Sequence, residues 1–194
     1  MKKSILMSIK PYYGFLIIAT MKGWDLAKYG LRKKTVEARK GVPTSSDWDN
    51  KAAFYFSKDK KSLARIPEEY RGEVAKLCGT VVCKFVCNKI ERLEQTLIEG
   101  GLYYTISFDF LEHAMLDDWE LHDYGKGSPI YGLHISDLKL YDKPRELSDF
   151  ATLKKCNSCK VSGYETSACR YDEKCIVPSI ITRPPQSWCY VEEL

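Results

Sequence analysis

The sequence lacks the motifs that mark many nucleotide-dependent enzymes. It contains no glycine-rich loop of the kind that cradles phosphates, no dinucleotide fingerprint and no serine or cysteine nucleophile motif. Its early apolar runs, residues 5–9 and 15–19, are far too short to cross a bilayer, and no small-residue cleavage site follows the basic start. We therefore expect a cytoplasmic protein that does not insert into membranes.

The excess of positive over negative charge is also small. The net charge of +4 permits a nucleic-acid partner but falls well short of the strongly basic composition of a protein that coats DNA. The three histidines show no metal-ligand spacing. A chain of 194 residues with 44% hydrophobic content can bury one sizeable core and carry a smaller appendage.

Apolar periodicity predicts an α+β protein. Strands are expected at residues 5–9, 52–57, 80–90 and 130–141, helices at 11–21, 67–77 and 110–121, and a helix or loop at 91–99. Cys83 and Cys87 fall on the apolar face of the third strand and are expected to be buried. A change of parity near Ser136 and Asp137 predicts a bulge in the last strand, of the kind that curls a sheet into a barrel.

The segment at residues 33–39, Lys-Lys-Thr-Val-Glu-Ala-Arg, concentrates charge in a short strand-like stretch. In an extended chain Glu37 and Arg39 share one face, which places a carboxylate beside a guanidinium. Lys34 can join them only if it lies at the entrance of the strand or on a bulge. The alternative is a solvated edge strand with a surface ion pair, which contributes little to stability.

Four stretches together resemble the ASCH (activating signal cointegrator homology) domain of the PUA-like superfamily, most nearly its small bacterial and phage members. They are Ser-Ile-Leu-Met-Ser-Ile-Lys-Pro at residues 4–11, the segment at 33–39, His-Ile-Ser-Asp-Leu-Lys-Leu-Tyr-Asp-Lys-Pro at 134–144, and Arg-Pro-Pro-Gln-Ser-Trp-Cys-Tyr-Val-Glu at 183–192. The resemblance spans residues 5 to about 144 and returns at the C-terminus. It implies a small β-barrel flanked by helices over residues 1–150, closed by a C-terminal strand at 181–194.

The resemblance also implies a cleft lined by Lys34, Glu37 and Arg39, with Lys10 close by, that binds RNA or a nucleotide. Arg39 would fork onto a phosphate or a guanine edge, the lysines would act as point charges, and Glu37 would accept from an exocyclic amino group. Three nearby aromatic residues are candidates for stacking on a base, although ordinary packing is the commoner role of such residues: Trp24, Tyr29 and Trp48.

An enzyme is the alternative within the same family. A related branch hydrolyses acetylated cytidine with a lysine, a threonine and a glutamate, the threonine three residues after the lysine. Here Glu37 stands at that position, so only Lys34 matches and the activity of an amidohydrolase on a modified nucleoside stays open. A carboxylate beside Arg39 is also expected to be a weak general base, because the neighbouring cation lowers its pKa.

A cysteine-rich insertion is predicted at residues 151–180. Cys156, Cys159, Cys169 and Cys175 would supply four thiolates, the right number and softness for a tetrahedral structural zinc in a segment too poor in aliphatics to form its own core. Free thiols, or a disulfide formed on purification, are the alternative interpretation. A third functional hypothesis is a protein-interaction module in which this insertion docks a partner.

Overall fold

The computed structural model describes residues 3–43, 46–98, 101–155 and 176–193, and one large sheet dominates this part of the chain. Its nine strands are β1 (Lys3–Ile9), β2 (Val36–Arg39), β3 (Trp48–Phe56), β4 (Val81–Ile98), β5 (Gly101–Thr105), β6 (Ile130–Arg145), β7 (Phe150–Lys155), β8 (Ile176–Ile180) and β9 (Trp188–Glu193). The α-helices are α1 (Pro11–Lys22), α2 (Lys60–Ala64), α3 (Glu68–Leu77), α4 (Phe108–Ala114) and α5 (Asp118–Gly125). The mixed α+β architecture predicted from the sequence is confirmed.

The sheet is open, so the predicted barrel is wrong for the described residues. The strand order runs β2-β6-β4-β3-β1-β9-β7-β8, with β5 paired to β4, and β2 and β8 lie at opposite ends. Among the strands that the structure describes, only β1 and β3 pair in parallel. Helix α4 lies against β2, where the Thr35 N–H donates to the His113 carbonyl at 2.9 Å. The edge of β2 is thus covered by a helix instead of closing the sheet.

Periodicity located most of the predicted elements but misjudged two segments. Residues 91–98, expected as helix or loop, continue β4, because they pair with β5 and β6. The helix expected at 110–121 is two helices, since Met115 adopts a left-handed conformation (φ 53°) and Asp117 caps the start of α5. A capping box holds that start: Asp117 accepts from the Glu120 N–H, and Glu120 accepts from the Asp117 N–H.

The bulge predicted near Ser136 and Asp137 is present. Asp137 has a φ of 44°, and the register of β6 against β4 shifts between Lys84 and Val86. The predicted burial of Cys83 and Cys87 is also confirmed. Burial raises the pKa of the Cys83 thiol to about 12, as expected of a cysteine that serves as a small hydrophobe.

Helix α1 packs deeply into the core beside the sheet. Pro11 begins it, as the sequence predicts, and Phe15, Leu16 and Ile18 are fully buried. Gly14 permits the close approach, because a Cβ at this position would lie 2.5 Å from the ring of Phe56 on β3. This contact fixes the β1–α1 junction, and with it Lys10, against the end of β3.

The two ends of the predicted insertion form the antiparallel strands β7 and β8, and β7 also pairs with β9. The four cysteines of the candidate zinc site, Cys156, Cys159, Cys169 and Cys175, lie outside the described residues, so zinc binding and the docking role of this segment stay predictions. Within the described ranges, no helix is both long and apolar enough to span a membrane.

Candidate functional site

A cavity of about 550 Å³ opens where the ends of β1 and β2 meet α2 and α5. All four residues that the sequence singled out for ligand binding line it. Of the remaining lining residues, Ala38 belongs to β2, and the others come from four separate parts of the chain, namely the β1–α1 junction, the region from β3 to α2, α5 with the turn before it, and the loop before β9. The full lining is Ser8, Ile9, Lys10, Tyr13, Lys34, Glu37, Ala38, Arg39, Ser57, Asp59, Arg65, Leu116, Trp119, Glu120, Asp123, Tyr124, Gln186 and Ser187.

Lys34 lies just before β2, at the strand entrance, and this position brings it onto the same side as Glu37. Its Nζ is 3.4 Å from Oε2 of Glu37 and donates to the Ala114 carbonyl at 2.5 Å. Ala114 ends α4, and the last carbonyls of a helix have no intrahelical donor, so the lysine supplies one. The backbone N–H of Lys34 donates to the carbonyl of Leu16 in α1 at 3.2 Å, and this bond connects the strand entrance to that helix.

Glu37 and Arg39 form the second half of the charged cluster. Nη2 of Arg39 lies 3.0 Å from Oε1 of Glu37 and donates to the Ser8 carbonyl at 2.6 Å. The side chains of Lys34, Glu37 and Arg39 are only 2%, 9% and 8% exposed. The hypothesis of a solvated surface ion pair is therefore wrong, and we call these three residues the buried triad.

The buried triad holds two cationic side chains around one carboxylate. Burial lowers the pKa of Lys34, and the ion pair with Glu37 opposes that shift. Charges taken out of water are stabilised only when they are paired and hydrogen-bonded, so a second cation beside one carboxylate is costly to bury. Buried charged groups with shifted pKa values cluster at functional sites in proteins.

The rim of the cavity carries a second group of polar side chains. The guanidinium of Arg65 lies 4.1 Å from the ring centroid of Tyr12 and 5.7 Å from that of Tyr13, and its Nη2 lies 3.7 Å from Oε1 of Glu120. Nζ of Lys34 lies 5.1 Å from the ring of Tyr13. Tyr13 thus separates the buried triad from the exposed Arg65, and burial raises the pKa of its hydroxyl.

Two buried polar atoms in the described part of the chain have no hydrogen-bond partner, and both belong to residues that line this cavity. They are Nε of Arg39 and Oγ of Ser57. Buried polar groups in native proteins are almost always paired, so each exception calls for a specific explanation. Both atoms therefore lie at the cavity that also contains the buried triad.

The aromatic residues proposed as stacking candidates do not line the cavity. Trp24 stacks between Phe15 and Tyr70, Tyr29 meets Tyr70 edge-on, and Trp48 is buried with its indole N–H donating to the Lys51 carbonyl. They are packing residues. The aromatic residues of the cavity are instead Tyr13, Trp119 and Tyr124.

Sequence patterns contain little signal for Tyr13, Arg65, Glu120 and Tyr124, because these residues come from elements distant in the chain. The usable signal was local: Asp117 and Glu120 have the spacing of a capping box and mark the start of α5. Within the described ranges, no group of three or more histidine, cysteine, aspartate or glutamate side chains is arranged to hold a metal ion.

A second concavity, of about 620 Å³, lies on strands β1, β3, β4, β6, β7 and β9, and we call it the sheet groove. Its charged residues include Asp49, Lys51, Asp137 and Lys139. Lys51 pairs with Asp49 at 3.6 Å and Lys139 with Asp137 at 3.0 Å. These pairs are exposed to solvent, unlike the buried triad.

No family model and no curated protein matches the chain. Among solved structures, it is similar to an ASCH protein from Zymomonas mobilis, with 15% identity and a TM-score of 0.49, over 98% of this chain and 88% of that one. Two single-residue variants of that protein are similar at 14% and 13% identity, with TM-scores of 0.48 and 0.49, over 98% of this chain and 91% and 89% of theirs. ASCH is also the family that the sequence resembles. Likeness at this level carries no residue role to the present chain.

Proposed function

We propose that the cavity around the buried triad binds a nucleotide, either free or as part of an RNA strand. The observation that carries this proposal is the pair of unpartnered buried atoms, Arg39 Nε and Ser57 Oγ, at the cavity that contains the buried triad. A volume of about 550 Å³ falls in the range of small-molecule sites.

The charge pattern suits a ligand that has both acceptors and donors. Lys10 and Arg65 are exposed cations at the rim and would meet phosphate oxygens, whereas Glu120 and Asp123 are carboxylates that would accept from the amino groups of a base. A bare anion such as inorganic phosphate would be repelled by those carboxylates. A nucleotide offers both kinds of partner in one molecule.

Calorimetry with the four ribonucleoside monophosphates tests the proposal. Arg39→Lys keeps the charge but removes the planar fork, so we expect affinity for the preferred nucleotide to fall roughly 10- to 100-fold. Arg145→Lys is the matched control, because Arg145 pairs with Asp149 away from the cavity. Absence of heat with every nucleotide and with a short RNA strand, or equal affinities for the two variants, would overturn the proposal.

Hydrolysis of a modified nucleoside such as acetylated cytidine is the second candidate, and one observation favours it. Burial lowers the pKa of Lys34 at the wall of the cavity, which brings its amine closer to the neutral form that can act as a base. Incubation with acetylated cytidine would then release cytidine and acetate, and Lys34→Met would abolish release. Binding of the nucleoside without turnover would exclude this activity.

A further inference from the structure

We infer that the ligand is a single strand of at least two nucleotides, with one base in the cavity and a neighbouring base stacked on Trp119 at its mouth. This inference rests on the proposed function and extends it from a nucleotide to a class of polymer.

Trp119 is the tryptophan of the described residues that packing does not use. It lines the cavity, yet 73% of its surface is exposed. Trp24 is stacked between two rings, Trp48 is 1% exposed, and Trp188 donates to the Gly41 carbonyl and meets Tyr190 edge-on. A large apolar ring left in water at the mouth of a polar cavity is a platform for a flat, apolar ligand face.

Helix α5 sets the direction in which a strand would continue. Trp119, Glu120, Asp123 and Tyr124 line the cavity, and the pairs 119/123 and 120/124 are one helical turn apart, so one face of α5 forms this wall. Trp119 in the first turn is 73% exposed, and Tyr124 near the other end of the helix is 37% exposed, so both rings are open to a ligand. A base held against Tyr124 would have its neighbour at Trp119.

Exposed cations near the mouth would accommodate the phosphates between the bases. Nζ of Lys40 lies 5.3 Å from the ring of Tyr124, and the exposed side chains of Lys10 and Arg65 line the cavity. Aromatic faces interleaved with cations are the recognition pattern of single-stranded nucleic acid. A duplex hides its base faces by stacking and pairing, so it could not use Trp119.

The test compares ligands of increasing length on the natural protein and three variants. Mononucleotide, dinucleotide and tetranucleotide affinities are measured for the natural chain and for Trp119→Ala, with Phe108→Ala as the matched control, since Phe108 is 75% exposed but does not line the cavity. We expect Trp119→Ala to weaken tetranucleotide binding roughly 5- to 150-fold, because stacking on an aromatic ring contributes on that scale per base. The loss of mononucleotide affinity should be smaller than the loss of tetranucleotide affinity, and Trp119→Phe should retain most of the tetranucleotide affinity.

Outcomes separate this inference from the proposed function. If the natural protein binds a mononucleotide but Trp119→Ala leaves the tetranucleotide affinity unchanged, or if a duplex binds as tightly as the single strand, the inference is overturned and the nucleotide site stands. If neither mononucleotide nor tetranucleotide binds, both are overturned. Parallel RNA and DNA tetranucleotides give the sugar preference, and the effect of Trp119→Ala should be the same in both.

Discussion

The buried triad and the sheet groove contain similar chemical groups in opposite settings. Each holds lysines and carboxylates within about 3 to 4 Å, and each borders a concavity of similar size. In the sheet groove the paired side chains are 23% to 67% exposed, so water stabilises each partner separately. In the buried triad exposure is 9% or less, and each charge depends on the others.

The comparison of these two regions indicates that burial, more than the presence of charge, distinguishes a candidate site on this protein. Exposed ion pairs are tolerated anywhere on a surface because they cost and contribute little. A buried cluster with more cations than anions is retained against its desolvation cost, and a polar ligand is the simplest reason for that.

The largest contrast is expected from removing the central carboxylate of each region. Glu37→Gln leaves Lys34 and Arg39 buried without an anion, so we expect a loss of about 3–5 kcal/mol in the free energy of unfolding. Asp137→Asn in the sheet groove should change it by no more than about 0.5 kcal/mol. Urea denaturation of both variants measures this contrast, and comparable losses would remove the distinction between the two regions.

A smaller contrast is expected in the pH dependence of stability. The pKa of Lys34 is lowered in the folded protein, so between that value and its ordinary value of about 10.5 the unfolded chain binds more protons than the folded one. Stability contributed by this residue should therefore rise with pH through that window, by at most about 1.4 kcal/mol per pH unit.

Denaturation curves at several alkaline pH values check this sign. Lys34→Met should flatten the rise, whereas Lys139→Met, which removes an exposed lysine of the sheet groove, should leave it unchanged. A slope that survives in Lys34→Met would assign the effect to another group.

The smallest change in stability is expected from Ser57→Ala. The buried hydroxyl of Ser57 has no partner among the described residues, so Ser57→Ala should leave stability unchanged or raise it by up to about 1 kcal/mol. The same substitution should weaken nucleotide binding, because the hydroxyl is lost from the cavity. Thermal denaturation and calorimetry on one preparation measure both, and a clear loss of stability would show that the hydroxyl has a structural role.

Local patterns predicted β1, α1 and α3 closely, because each depends on its own apolar periodicity or on a proline at the helix start. The sequence also allowed Lys34 to join Glu37 if it lay at the strand entrance, which is where it lies. Whether the sheet closes could not be predicted from local sequence patterns, because it depends on whether β2 meets another strand or the helix α4. The residues at the rim of the cavity were not predicted for the same reason, because Tyr13, Arg65 and Glu120 meet only through the tertiary fold.

The central claim is that the cavity, and not the sheet groove, binds nucleic acid. Its most direct test is the affinity of a fluorescently labelled single-stranded RNA at two salt concentrations for the natural protein, Lys10→Ala and Lys139→Ala. We predict that Lys10→Ala weakens RNA binding and reduces its salt dependence by about one released counterion. Lys139→Ala should bind the RNA with an affinity close to that of the natural protein. Equal losses in both variants, or a larger loss in Lys139→Ala, would contradict the account.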